Sequence, residues 1–165
     1  IYAFNNQIRF NSDGAYNLPV GKRDFNADMR EKLRAFINCV HNKECYFSQR
    51  DFGYYNAQRL QPQDFVYCDP PYLITCATYN EKGGWGEKEE RRLLGYLDNL
   101  SANHIRFALS NVLSSKGRTN TILQDWVNLH NGEYTCYHLN FNYSNSNYHT
   151  ADRITGSDEV LITNY

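Results

Sequence analysis

The clearest helical pattern lies in "EKEERRLLGYLDNLSAN" (Glu87–Asn103), where Leu93, Leu94, Leu97 and Leu100 fall on one side and charged residues on the other. A second helix is predicted from Asn26, a side chain suited to an N-cap, to about Val40. Met29, Leu33, Phe36, Ile37 and Val40 recur there at helical spacing. A third covers residues 119–130 around Ile122, Leu123, Trp126 and Leu129. Short apolar runs predict strands at "DFVYC", at "IRFALS" (Ile105–Ser110) and at "DEVLITNY", and "EYTCYHLNF" alternates as a strand does. "ECYFS" (Glu44–Ser48) is a further strand candidate, and "DFGYYNAQRL" is read as a short helix with Asp51 near its start. Residues 1–23 are irregular, with "NSDG" and "LPVGK" as turn signals. Loops are expected from Tyr72 to Gly86, ending in "GGWG", and through "NYSNSNYHTADRITGS".

From residue 64 the elements run strand, helix, strand, helix, strand, strand. Two βα crossovers imply a mostly parallel sheet, and the last two strands imply an antiparallel hairpin at one edge. The fold class is therefore α/β. In such sheets ligands sit beyond the C-terminal ends of the parallel strands.

"DFVYCDPPY" puts unusual chemistry at such an end. Two prolines stop any strand or helix, since each lacks an N–H and fixes its own φ. Pro71 also holds Pro70 extended. The strand thus delivers Asp69, a stiff backbone and the ring of Tyr72. An exocyclic amine on an aromatic base is a poor nucleophile, because its lone pair is delocalised into the ring. Two acceptors, one for each N–H, favour a freer lone pair. The Asp69 carboxylate and the Pro70 carbonyl are such a pair, held in place before substrate arrives. Tyr72 can stack on the base, which would have to be flipped out of a duplex.

Composition narrows this only a little. The chain of 165 residues is long enough for one domain with a real core, and 41% apolar against 21% charged residues is a globular balance. Aromatics reach 15%, which serves a core as well as base stacking. A net charge of −1 offers no global basic field. Residues 1–34 hold six Lys/Arg against four acids, a mild excess that a solvated face also explains. Five cysteines with no C-x-x-C argue for free thiols in a reducing compartment, and no metal site is expected. No stretch approaches the length of a transmembrane helix, no signal peptide is visible, and a cytoplasmic protein is expected. The chain opens in mid-pattern on "IYAFNNQIRF", which reads as a piece of something longer.

"DFVYCDPPY" resembles the DPPY motif of S-adenosylmethionine-dependent amino-methyltransferases, and more narrowly the chain resembles the Dam-type bacterial DNA adenine methyltransferases. "IRFNSDGAYNLPVGK" (Ile8–Lys22) is similar to that family's "RYN-x-x-G-x-FNVP-x-G" segment in its target-recognition region. Arg9, Asn11, Gly14, Asn17, Pro19 and Gly21 match, while Phe10, Tyr16 and Leu18 depart conservatively. "HIRFALSN" and the closing "DEVLITNY" resemble its later strands.

The resemblance implies a partial Rossmann-like methyltransferase sheet in residues 44–165 and part of a target-recognition region in residues 1–43. Asp69, Pro70, Pro71 and Tyr72 are then catalytic, with Asp69 and Pro70 also facing S-adenosyl-L-methionine. Phe4, Asn5, Gln7, Arg9, Asn11, Pro19 and Lys22 would meet double-stranded DNA, with Arg9 in the position of a guanine-reading arginine. Tyr79 and Asn80, with Lys116 and Arg118, would flank the DNA backbone, and Ser48 and Asp51 would line the pocket wall. The resemblance implies GATC or a similar site as the target, although Phe4 stands where the family more often has Tyr and Gln7 where it has an apolar residue. The family's "F-x-G-x-G" cofactor loop is not in these residues, so this piece alone is expected to bind cofactor weakly and to methylate poorly. A monomer and a cognate restriction endonuclease are expected. The alternatives are a DNA-binding fragment without catalysis, and a methyltransferase acting on RNA or on protein glutamine.

Overall fold

The computed structural model describes residues 10, 11, 13–17, 24–75, 84–139 and 157–165. The chain divides into two compact units, Ile1–Gln49 and Arg50–Tyr165.

In the first unit, Asn11 closes a tight turn. Its Oδ1 accepts from the Asp13 and Ala15 N–H groups at 3.0 and 2.8 Å, and Gly14 sits at φ +77°, which favours glycine. Phe10 and Tyr16 face each other across this turn as an antiparallel bridge. Helix α1 spans Ala27–His41, and the Asn26 side chain accepts from the Met29 N–H at 2.9 Å, as the cap signal predicts. Its apolar positions Leu33, Phe36 and Ile37 are exposed. Glu44–Ser48, expected as a strand, forms none. Tyr46 and Phe47 are exposed, and among the described residues no strand lies alongside to complete a ladder.

The second unit holds the sheet. β1 (Phe65–Cys68) is followed by α2 (Glu87–Ala102), β2 (Arg106–Ser115), β3 (Arg118–Thr119), α3 (Thr121–Leu129), β4 (Thr135–Leu139) and β5 (Asp158–Thr163). "DFGYYNAQRL", expected as a helix, makes two 3₁₀ turns, Phe52–Tyr54 and Ala57–Arg59. Asp51 and Asn56 cap them; Asn56 starts a new turn where the first would have to continue, and Leu60 is extended after the second.

The order across the sheet is β1-β2-β5-β4, with β3 beside β2. β1 and β2 are parallel, with Cys68 opposite Leu109, and β4 and β5 form the expected antiparallel pair. The difference from expectation lies in the middle. β5 returns between β2 and β4 and runs antiparallel to both. The α3 crossover carries β4 one place beyond β2, and the last strand fills the gap. β2 also runs on past the expected end at Ser110. It turns through Lys116 and Gly117, at φ +50° and +73°, into β3, the two-residue hairpin geometry that matches strand twist.

Both helices of this unit cover one face. Leu93, Leu94, Leu97 and Leu100 of α2 and Ile122, Leu123 and Trp126 of α3 close over Phe107, Leu109, Val160 and Ile162. The other face carries Phe65, Tyr67 and Tyr137, all exposed. No helix among the described residues is long and apolar enough to cross a membrane.

Candidate active site at the Asp69–Tyr72 edge

The sheet delivers β1, β2 and β4 to the same edge with their C-terminal ends, and the start of β5 meets them there. Asp69-Pro-Pro-Tyr72 leaves β1 at this edge. Asp69 and Pro71 are exposed, while Pro70 and Tyr72 are half-buried. The Tyr72 hydroxyl donates to Asp69 Oδ1 at 3.2 Å. Burial pushes the Tyr72 phenol well above its ordinary range, and the Asp69 charge and this hydrogen bond add to the shift. The phenol is therefore held neutral, as a donor to the carboxylate. Beside it, Tyr67 and Ser110 share a hydroxyl hydrogen bond of 2.7 Å across β1 and β2.

The flanks of the motif are tied to α2. Arg92 pairs with Asp51 and lies over the Phe52 ring at 4.3 Å from its centroid. Asp51 also accepts from the Gly53 N–H at 2.8 Å, and that bond, followed by Arg92, holds its carboxyl below the usual range. The Asp51 carboxylate thus ties the Gly53 turn to α2 through Arg92. After the motif, Thr75 N–H returns to the Tyr72 carbonyl at 3.2 Å.

Among the expected DNA contacts, Asn11 is exposed and spends its side-chain oxygen within its own turn. Phe4, Asn5, Gln7, Arg9, Pro19, Lys22, Tyr79 and Asn80 lie outside the described residues. Lys116 and Arg118 are exposed on the β2–β3 hairpin, beyond the strand edge where Asp69 stands. Ser48 belongs to the first unit and Asp51 to the second.

Sequence reading missed a buried polar cluster beneath this edge. Glu90 is 0% exposed and receives three N–H donors, from Trp85, Asn111 and Asn120. Its signal was present: Glu90 precedes Leu93, Leu94 and Leu97 by helical spacing, so the charge lies inside the apolar stripe.

The residues resemble a known set beyond the motif. A family model, D12 class N6 adenine-specific DNA methyltransferase, matches residues 1–137. The chain belongs to this family. It is 42% identical over 170 residues to "Type II methyltransferase M.FokI" of Planomicrobium okeanokoites, covering 99% of this chain and 25% of the relative. It is 39% identical to "Modification methylase StsI" of Streptococcus sanguinis, with the same coverage. It is 36% identical over 134 residues to "Modification methylase LlaI" of Lactococcus lactis subsp. lactis, covering 79% of this chain and 21% of that one. The chain therefore spans about a quarter of the length of the first two of these relatives.

Within this family member, Cys68 directly precedes Asp69, and burial pushes its thiol up to about 11. The thiolate is the reactive form, so alkylation should follow burial. At about pH 8, iodoacetamide should label the exposed Cys39 and Cys45 well before Cys68, whose labelling should rise only toward pH 11. Peptide mass mapping checks the order. Equal rates at all three would mean that the end of β1 opens in solution.

Proposed function

We propose that the protein transfers a methyl group from S-adenosylmethionine to the exocyclic amino group of adenine in a specific duplex DNA sequence. The carrying observation is the strand end itself: an exposed carboxylate, a stiff double proline and a half-buried tyrosine hydrogen-bonded to that carboxylate. Membership of an adenine-specific class supports this acceptor over RNA or protein glutamine.

In this reading Asp69 and the Pro70 carbonyl accept the two N–H bonds of a flipped-out adenine, and Pro71 fixes their spacing. The Tyr72 ring stacks on the base, and its hydroxyl orients Asp69. The exposed Asp69 carboxylate and the Pro70 carbonyl are acceptors at an open edge, which fits the positive sulfonium end of S-adenosylmethionine. When bound, that group supplies an electrophilic methyl. The amine proton leaves to solvent or through Asp69. Base flipping is required because the amino group inside a duplex is out of reach.

The wider roles follow the same reading. Residues 44–165 serve as the catalytic half, built on a Rossmann-like sheet, and residues 1–43 as part of the target-recognition region. Phe4, Asn5, Gln7, Arg9, Asn11, Pro19 and Lys22 meet the duplex. An Arg9 contact to guanine in the major groove is worth about 1–3 kcal/mol of discrimination. Tyr79, Asn80, Lys116 and Arg118 approach phosphates, and the hairpin position of the last two supports this. The relatives named modification methylases support a cognate restriction endonuclease as the biological counterpart.

The test is label transfer from S-adenosylmethionine to unmethylated duplexes with and without GATC, by the intact protein. Label in N6-methyladenine, in one duplex context only, is the expected result. Sequence-specific binding without any transfer would overturn the proposal and leave a DNA-binding module.

A further inference from the structure

We infer that Glu90 is a positioning residue for methyl transfer at the Asp69–Tyr72 edge, an inference that rests on the function proposed above. Glu90 lies in the first turn of α2, fully buried, and its side-chain hydrogen bonds go to Trp85, Asn111 and Asn120. Its two oxygens divide the work. Oε1 accepts from Asn111 Nδ2 at 3.1 Å and from Asn120 Nδ2 at 2.8 Å, while Oε2 accepts from the Trp85 indole N–H at 2.7 Å. All three partners donate, which suits a group that only accepts.

Each partner anchors a different part of the site's surroundings. Trp85 lies between the end of the segment that follows the motif and α2, against Phe52. Asn111 lies on β2 two residues beyond Leu109, the partner of Cys68, where Asp69 and Pro70 leave β1. Asn120 is the N-cap of α3.

The asparagines cannot turn their amides to suit another neighbour. Asn111 Oδ1 already accepts from the Val112 N–H at 2.8 Å, next to the irregularity in the β2–β5 register between Val112 and Ser114. Asn120 Oδ1 accepts from the Leu123 N–H at 3.1 Å. Glu90 therefore fixes both amide orientations at once and joins the chain on either side of the motif to the strand beside it. A buried polar network of this kind is rigid only when every member is satisfied.

Glu90→Gln is nearly isosteric and breaks that condition. Its new NH2 group meets two amide donors if it faces the asparagines, and the indole N–H if it faces Trp85. Trp85→Phe removes the second conflict, so the double variant Trp85→Phe/Glu90→Gln can turn its NH2 toward the vacated side. Small misplacements away from the chemistry can cost about 10²-fold in rate.

The experiment measures kcat, KM for duplex DNA and melting temperature for the intact protein and these three variants. Expected is a fall in kcat of roughly 10- to 100-fold for Glu90→Gln with KM for DNA unchanged, and partial recovery of kcat in the double variant. A folded Glu90→Gln protein with wild-type kcat overturns the inference. So does a double variant no better than Glu90→Gln alone. Should Glu90→Gln not fold, Trp85→Phe decides: it cuts only one of the three bonds, and a full kcat in that variant overturns the inference, whereas a lowered kcat at unchanged melting temperature supports it. Absence of transfer by the unmutated protein would instead sink the functional proposal, so the two failures are separable.

Discussion

Asp69→Ala should lower adenine methylation by the intact protein about 10²–10³-fold, the loss typical when one preorganised hydrogen-bonding group aimed at the reacting atoms is removed. The fold should not notice. Asp69 is exposed and accepts from the Tyr72 hydroxyl at 3.2 Å, so the stability change should stay within about 0.5 kcal/mol. DNA affinity should fall little, because most of the proposed duplex contacts belong to residues 1–43. Tyr72 separates the two halves of the argument. Tyr72→Phe keeps the ring and loses only the orienting hydroxyl, so its activity should fall far less than that of Tyr72→Ala. The alanine variant also loses stacking worth about 1–3 kcal/mol. The measurements are single-turnover methyl transfer, duplex binding and thermal melting on the same preparations. Full activity in Asp69→Ala would remove the carboxylate from the mechanism, and a low melting temperature would reassign it to the fold.

How much of this was legible in the sequence depends on whether the signal is local. α2 and α3 announce themselves through apolar spacing, and the Asn26 cap through a side chain acting three residues ahead. The end of β1 is legible because two consecutive prolines allow no continuation of a strand. The place of β5 was not legible. Its pairing with β4 was expected, but its apolar run does not say that β2 would be its other neighbour. The β2–β3 hairpin hinged on Lys116 accepting a positive φ, which lysine rarely does, so "SSKGRT" carries only Gly117 as a warning. Glu44–Ser48 has strand-like side chains, but among the described residues no strand pairs with it. Glu90 was overlooked for a different reason. A glutamate in the first turn of a helix reads as a favourable charge at the N-terminus, and its burial depends on Asn111 and Asn120, which lie 21 and 30 residues away. The candidate site was therefore legible in its reacting groups, while of their support only the place of Glu90 in the apolar stripe was legible and its distant partners were not.

The largest effect on stability should come from Phe107→Ala, at about 3–5 kcal/mol, because a buried ring leaves both lost transfer energy and a cavity. Phe107 is 0% exposed. It stands edge-on to Tyr134 at 5.3 Å between ring centroids and is tilted against Trp126 at 6.4 Å. Its surroundings cannot easily collapse, since its N–H is bonded to Asn164 Oδ1 and the Asn164 amide also holds the Ile105 carbonyl. Phe65 is the control one strand away. It is 50% exposed on the open face and meets Tyr165 edge-on at 6.0 Å. Phe65→Ala should cost about 0.5–1.5 kcal/mol, the scale of one aromatic pair. Guanidinium titration of both variants in the intact protein gives the difference directly. A Phe107→Ala loss of under about 1 kcal/mol would mean that the core beneath the site is not packed as described. A Phe65→Ala loss equal to that of Phe107→Ala would mean that the face bearing Phe65, Tyr67 and Tyr137 is itself covered in the intact protein, and the strand end carrying Asp69 would then be braced from both sides rather than one.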